Sequence, residues 1–167
     1  MAPAQPVDAY IGVGSNLDHP ARQVEIAFDR IGELPASSLV SASSLYRSSP
    51  LGGIEQPDYI NAVVHITTSL SARKLLELLL ALEKSQGRER DGQRWGPRVI
   101  DLDLLVFGGE SVNEPGLQVP HPGIAERNFV LLPLREIAPD LVIPELGALA
   151  ELAVNSDEPR IERIARI

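Results

Sequence analysis

The chain has 167 residues, 44% of them hydrophobic, a size that suits one domain around one core. Fifteen Lys and Arg against 23 Asp and Glu leave a net charge of −8, which argues against general affinity for nucleic-acid backbones or anionic membranes. With no cysteine there is neither a disulfide frame nor a thiolate zinc site, a composition compatible with a reducing compartment, so a cytoplasmic location is expected.

The first eight residues carry neither a basic start nor an apolar run, and are expected to be a short lead-in rather than a secretion signal or transit peptide. Residues 8–15 read as a buried strand containing Tyr10, Ile11 and Val13, ending in the turn-forming Gly14-Ser15-Asn16. A helix follows, with Asp18 as its expected cap, Pro20 in the first turn, and Ala21, Val24, Phe28 and Ile31 at helical spacing before Gly32. Residues 39–47 and 59–68 read as two further strands, separated by a Pro- and Gly-rich loop over 48–58. Ser71 caps a second helix, with Leu75, Leu76, Leu78, Leu79 and Leu82 as its apolar set and Gly87 near its end. The stretch 75–82 is the longest apolar run and is broken by Glu77, well short of the roughly 20 residues a membrane span needs. A soluble protein is therefore expected.

An irregular segment over 88–98 leads into a strand over 99–107, which turns at Gly108-Gly109 into a short strand over 111–113. The order βαββαβ is that of an α+β, ferredoxin-like core, an antiparallel sheet with helices packed on one face. C-terminal additions follow, with helices expected over 126–137 and 147–154. The whole chain reads as one domain, with 1–7 and 155–167 as flexible or peripheral ends.

Asp101 and Asp103 lie two residues apart in the strand 99–107, so their carboxylates share one face while Ile100, Leu102 and Leu104 take the other. Two carboxylates in so apolar a strand repel each other unless cations compensate them, and Mg²⁺ suits oxygen ligands shared with phosphates. Immediately upstream stand Arg88, Arg90, Arg94 and Arg98, which with Glu89 and Asp91 still make a net positive stretch in an acidic chain. Guanidinium groups match phosphate oxygens, and phosphoryl transfer relies on such clamps together with metal ions. Structural ion pairing of single arginines with Asp101, Asp103 or Glu83 is the competing reading. Trp95, between Arg94 and Gly96-Pro97, marks the 88–98 segment as a lid.

The other signals are weaker by themselves. The loop containing Ser48, Pro50 and Leu51 leads to Tyr59 and Asn61, where backbone groups and an amide side chain could read the edge of a flat heterocycle. An ordinary crossover explains the same residues. His121, held between Pro120 and Pro122, has no nearby Ser, Cys or Asp to suggest a triad, and spacing leaves a structural role and a phosphate contact both open. Gly12-Val13-Gly14 completes neither a dinucleotide-binding nor a P-loop pattern.

The ten residues Arg94-Trp95-Gly96-Pro97-Arg98-Val99-Ile100-Asp101-Leu102-Asp103 closely resemble the hallmark segment of the 6-hydroxymethyl-7,8-dihydropterin pyrophosphokinases. Similarity extends through residues 10–17, 46–52, 56–61, 119–122 and 136–139, covering roughly 8–154. The resemblance implies transfer of the β,γ-pyrophosphoryl group of ATP to the pterin hydroxymethyl oxygen, giving AMP, in folate biosynthesis. It implies two Mg²⁺ ions on Asp101 and Asp103, with Arg88 and Arg98 stabilising the moving group. Asn61 and the backbone around Ser48, Pro50 and Leu51 would bind the pterin edge, with Tyr59 and Phe129 stacking on its faces. Glu83, Arg90, Arg94, Trp95, Ile100, His121 and Arg127 match positions near the nucleotide or pterin. Asp91 and Pro122 depart from residues found in some relatives, so no phosphate contact is assigned to either.

The expected partners are the small molecules ATP and the hydroxymethyl pterin, with no nucleic acid, no membrane and a monomeric state. No general base is assigned; Asp103 is near enough, but a metal ligand is a poor proton acceptor. Two other classes stay open: a ferredoxin-like sensor that binds without turnover, and an RNA binder using the arginines, which the net charge disfavours.

Overall fold

Alternation along the first strand sets up the architecture. In the computed structural model, which describes residues 5–50, 55–87, 99–154 and 159–164, β1 (Val7–Ser15) sends Ala9, Ile11 and Val13 into one core cluster and Tyr10 into a second. Gly12 and Gly14 continue the Tyr10 face by the same two-residue period. After α1 (Pro20–Gly32) come β2 (Ser37–Ala42), β3 (Leu45–Ser48) and β4 (Tyr59–Thr68), then α2 (Ala72–Ser85) and β5 (Asp101–Phe107). β4 and β5 flank β1 on either side, both antiparallel to it, and β3 lies outside β4. This is the ferredoxin-like α+β core. α1 and α2 bury Val24, Phe28, Ile31, Leu75 and Leu79 against the Ala9 face of the sheet. Among the described residues, no helix is long and apolar enough to cross a membrane.

Several expected boundaries move. α1 is not capped by Asp18: Asp18 and His19 both adopt left-handed backbone, His19 takes the cap position without a side-chain hydrogen bond, and Pro20 opens the helix. Ser71 does cap α2, accepting from the Lys74 N–H at 3.2 Å. The strand expected over 39–47 is two strands, because Ser43 interrupts the ladder. Its N–H donates to the Val63 carbonyl, while its Oγ rather than its carbonyl accepts from the Val63 N–H.

β6 (Val112–Glu114) does not fold back on β5 but pairs with β7 (Leu117–Val119) in a separate ribbon. The helix expected over 126–137 begins at Asn128, as α3 (Asn128–Ile137), preceded by a 3-10 turn at Ile124–Glu126. No helix forms over 147–154. Gly147 and Ala148 form β9, paired with β8 (Val142–Ile143), followed by one 3-10 turn. The Arg135 side chain takes up the Leu149 and Leu152 carbonyls at 2.9 and 2.6 Å, so these acceptors are satisfied without further helix. β10 (Ile161–Ile164) pairs with β3 and becomes the outermost strand of the main sheet.

α3 covers the second face of the sheet, where Val130, Leu131 and Leu134 pack with Tyr10, Val63, Leu105 and Val106. The coverage is partial. At the end where β1 reaches Gly14 and β5 begins, the buried residues include polar ones: Ser15, Asn16, Ser48 and Asn61.

Candidate active site

The register explains why polar groups converge at that end. Gly12 lies opposite Asp103 and Gly14 opposite Asp101 across β1 and β5, while Gly14 lies opposite Asn61 across β1 and β4. Directly paired residues share a face, so the two carboxylates, the two glycines and Asn61 all project from the face opposite α1 and α2. Leu102 and Leu104, at 4% exposure each, take the helix side. Asp101 and Asp103 are half-buried, with backbones roughly 6 to 7 Å apart from the strand rise. The expected alternation of this strand therefore holds.

Glycine at 12 and 14 keeps the floor between these groups low. A Cβ on Gly14 would lie 3.1 Å from the Asn61 Oδ1, and one on Gly12 would sit against the Leu105 side chain at 3.5 Å. Asn61, 6% exposed, donates from Nδ2 to the Ser48 Oγ at 2.8 Å. Tyr59 pairs with Ser48 across β3 and β4, and its ring edge is near Gly14. Two strand spacings, roughly 10 Å, thus separate the Asn61 backbone from that of Asp101. Pro50 is half-buried just beyond Ser49.

Glu83 is 2% exposed near the end of α2, and its Oε2 accepts from the Leu102 N–H at 2.7 Å. That amide lies between the two aspartates, so Glu83 braces the strand that presents them. Ile100 is fully buried in the main core, which reserves its side chain for packing and leaves its backbone for any ligand contact.

His121 is positioned by an irregularity of the sheet. The β1–β5 register shifts between Tyr10 and Ile11, which face Val106 and Leu104, so Leu105 is the extra residue of a bulge. Its carbonyl accepts from the His121 N–H at 2.8 Å. The His121 Nδ1 accepts from the Gly123 N–H at 3.0 Å, which places the ring proton on Nε2. Burial first, and the Arg127 guanidinium second, push the imidazole down to about 4 against a smaller opposing pull from Asp101. A neutral ring with an Nε2–H donor results. Arg127 packs over Gly123 and lies 5.9 Å from the centre of the half-buried Phe129 ring. His121 is thereby tied to β5, and Arg127 and Phe129 stand at the N-terminus of α3.

Arg88, Arg90, Arg94, Trp95, Arg98 and Leu51 lie outside the described residues, and with them the lid segment. Sequence reasoning passed over Asn16, whose Nδ2 donates to the Gln56 Oε1 at 2.8 Å and the Pro57 carbonyl at 3.0 Å. It ties the end of β1 to the approach to Tyr59. Its place after Gly14-Ser15, at 1% exposure, depends on a partner 40 residues away, which no local pattern announces.

The oxygen donors fit Mg²⁺. Among the described residues no group of three or more His, Cys, Asp or Glu side chains gathers to hold a metal, so the carboxylate pair would need ligands from outside, which is how Mg²⁺ is held beside phosphates.

Comparison with known proteins identifies the family. A family model described as 7,8-dihydro-6-hydroxymethylpterin-pyrophosphokinase (HPPK) matches residues 10–139. The 2-amino-4-hydroxy-6-hydroxymethyldihydropteridine pyrophosphokinase of Haemophilus influenzae is 47% identical over 146 residues, 87% of this chain and 91% of its own length. The Pseudomonas aeruginosa protein of the same name is 44% identical over 155 residues, covering 93% and 95%. Among solved structures, the wild-type HPPK-DHPS of Plasmodium falciparum with pterin and p-hydroxybenzoate superposes with a TM-score of 0.70 at 13% identity, over 90% of this chain. This chain spans 42% of the length of that one, and the likeness speaks for the fold. On the match over most of its length and the identity to these relatives, the chain belongs to the 7,8-dihydro-6-hydroxymethylpterin-pyrophosphokinase (HPPK) family.

Proposed function

We propose that this enzyme transfers the pyrophosphoryl group of ATP to 6-hydroxymethyl-7,8-dihydropterin, giving AMP and the pterin pyrophosphate in folate biosynthesis. One observation carries the reading: the carboxylates of Asp101 and Asp103 share a glycine-floored face with the Asn61–Ser48 pair, two strands apart, which supports a carboxylate site for metal beside an amide site for a heterocycle. Family membership supports it independently.

In this reading Asp101 and Asp103 hold two Mg²⁺ ions. Bound there, Mg²⁺ neutralises phosphate charge and lowers the cost of charge developing on the moving group. Asn61 and the backbone at Ser48, Pro50 and Leu51 bind the edge of the pterin, and Tyr59 and Phe129 lie against its faces. The Nε2–H of His121 and the Arg127 guanidinium face the phosphate path, where donors held in place contribute most. Arg88 and Arg98, with Arg90, Arg94 and Trp95 between them in sequence, supply the cationic counterpart and the cover over the nucleotide. The hydroxymethyl oxygen attacks the β-phosphorus in line, and positioning provides most of the acceleration.

Incubation of the chain with ATP, Mg²⁺ and 6-hydroxymethyl-7,8-dihydropterin tests this directly, with chromatography of both nucleotide and pterin products. AMP and pyrophosphorylated pterin in equal amounts are expected. ADP as the nucleotide product would refute pyrophosphoryl transfer, and tight binding without turnover would make the chain a ligand-binding module.

A further inference from the structure

We infer that the C-terminal segment Pro159–Ile164 is a positioning element of the acceptor end of the site, holding the strand that carries Ser48 against the helix that carries Phe129. The inference rests on the functional reading above and concerns residues which that reading does not use. β10 pairs antiparallel with β3, and Ile161 stands opposite Ser48. Where β3 leaves the sheet, the Ser49 N–H donates to the Arg160 carbonyl at 3.0 Å, and the Arg160 N–H donates to the Ser49 Oγ at 3.1 Å. One residue earlier, Pro159 is buried, and its carbonyl accepts from the Asn128 Nδ2 at 2.7 Å. Asn128, 3% exposed, is the first residue of α3, between Arg127 and Phe129.

Two consecutive tail residues therefore grip the Ser49 end of β3 and the Asn128 end of α3, while Glu136 joins the same two elements at their other ends through Ser44 and Tyr46. One grip is on the strand whose Ser48 Oγ accepts from Asn61, and the other is on the helix start that presents Phe129. Contribution to the core is only part of the account, supplied by buried Pro159 and by Ile164 packed against the main cluster. Ile161 and Ile164 are only half-buried, and Glu162 and Arg163 are exposed. Beyond the ladder that pairs it with β3, its two further backbone links, to Ser49 and to Asn128, both fall at the end where the acceptor would lie. Loosening them would let the Ser48 and Phe129 walls drift apart and would weaken acceptor binding, while the carboxylates on β5, on the far side of β1, keep their own brace from Glu83.

The test uses the full chain with three substitutions: Asn128→Ala, which removes the donor to Pro159; Ser49→Ala, which removes the acceptor for Arg160; and Ser49→Thr, which keeps a hydroxyl. KM for the pterin, KM for ATP and kcat are measured for each. Loss of one such hydrogen bond predicts about a three- to tenfold rise in pterin KM for both alanine variants, with ATP KM unchanged. Ser49→Thr is expected to keep the parent pterin KM. If Asn128→Ala fails to fold, the Ser49 pair decides the matter alone. Unchanged pterin KM in Ser49→Ala, or a parallel rise in both KM values, would overturn the inference. A parent chain that consumes no pterin would instead sink the functional reading itself.

Discussion

Gly14 stands opposite both Asp101 and Asn61, between the groups proposed to hold metal and to read the heterocycle. A methyl group there would press on the Asn61 Oδ1 from 3.1 Å, closer than ordinary contact. Asn61 is anchored by Ser48 and has little freedom to withdraw. Gly14→Ala is therefore expected to raise pterin KM by about tenfold, roughly 1.4 kcal/mol of overpacking felt at the ligand. Steady-state kinetics with ATP saturating would show it, and an unchanged KM would mean that Asn61 does not meet the acceptor. Asp103→Asn keeps volume but removes a charge proposed to hold a divalent ion, so kcat should fall on the order of a thousandfold. Thermal unfolding of the metal-free variant should match the parent or exceed it, because one of two like charges is gone.

At the scale of elements, α2 and β5 share the main core and are also joined by the buried Glu83 carboxylate. Glu83→Ala would leave the Leu102 N–H without its acceptor and should cost about 1 to 3 kcal/mol of stability. It should also weaken Mg²⁺-dependent nucleotide binding, because the amide lies between the two aspartates. Glu83→Gln retains an oxygen acceptor and should recover much of the stability. Denaturant unfolding compared with nucleotide titration separates the two effects, and equal nucleotide affinity in all three proteins would remove Glu83 from the positioning of the metal pair. The bulge at Leu105 works in the same way, since a carbonyl shifted out of register becomes the acceptor for the His121 N–H. Strand identity and facing in β5 were legible from the alternation of Asp101, Leu102, Asp103 and Leu104. The bulge was not, because one extra residue leaves no mark on composition and is decided by the partner strand.

Across the whole molecule, two networks make stability depend on pH. His121 is held well below its ordinary range, down to about 4, by burial and Arg127. Above pH 6.5 the ring is neutral in both folded and unfolded chains and contributes nothing. As pH falls from 6.5 towards 4 the unfolded chain takes up a proton that the folded chain refuses, so stability is lost across that window. Glu136 follows at lower pH. Burial alone would push its carboxyl up, but hydrogen bonds from the Tyr46 hydroxyl, at 2.7 Å, and from Ser44, together with Arg163, leave it below its ordinary value. Its contribution is present above pH 4.5 and is lost as pH falls through the lowered value. Thermal melts of the metal-free protein from pH 7 to pH 3 should show a continuous decline, and His121→Gln should flatten the portion between 6.5 and 4. A parent curve that is level over that range would contradict the buried neutral imidazole.

By itself the chain determined the βαββαβ order, the capped second helix, and a strand with both aspartates on one face, because each follows from contacts within a few residues and from the two periods of strand and helix. The ten-residue segment ending at Asp103 also marked the family. Only tertiary structure decided that Ser43 would split a strand, that the segment after Gly147 would give its carbonyls to Arg135, and that a charged tail would become the outer strand beside Ser48. Those outcomes depend on hydrogen-bond partners that lie 14 residues away in sequence for Arg135 and 111 for Arg160, and a backbone group satisfied by so distant a neighbour leaves no trace in the residues around it.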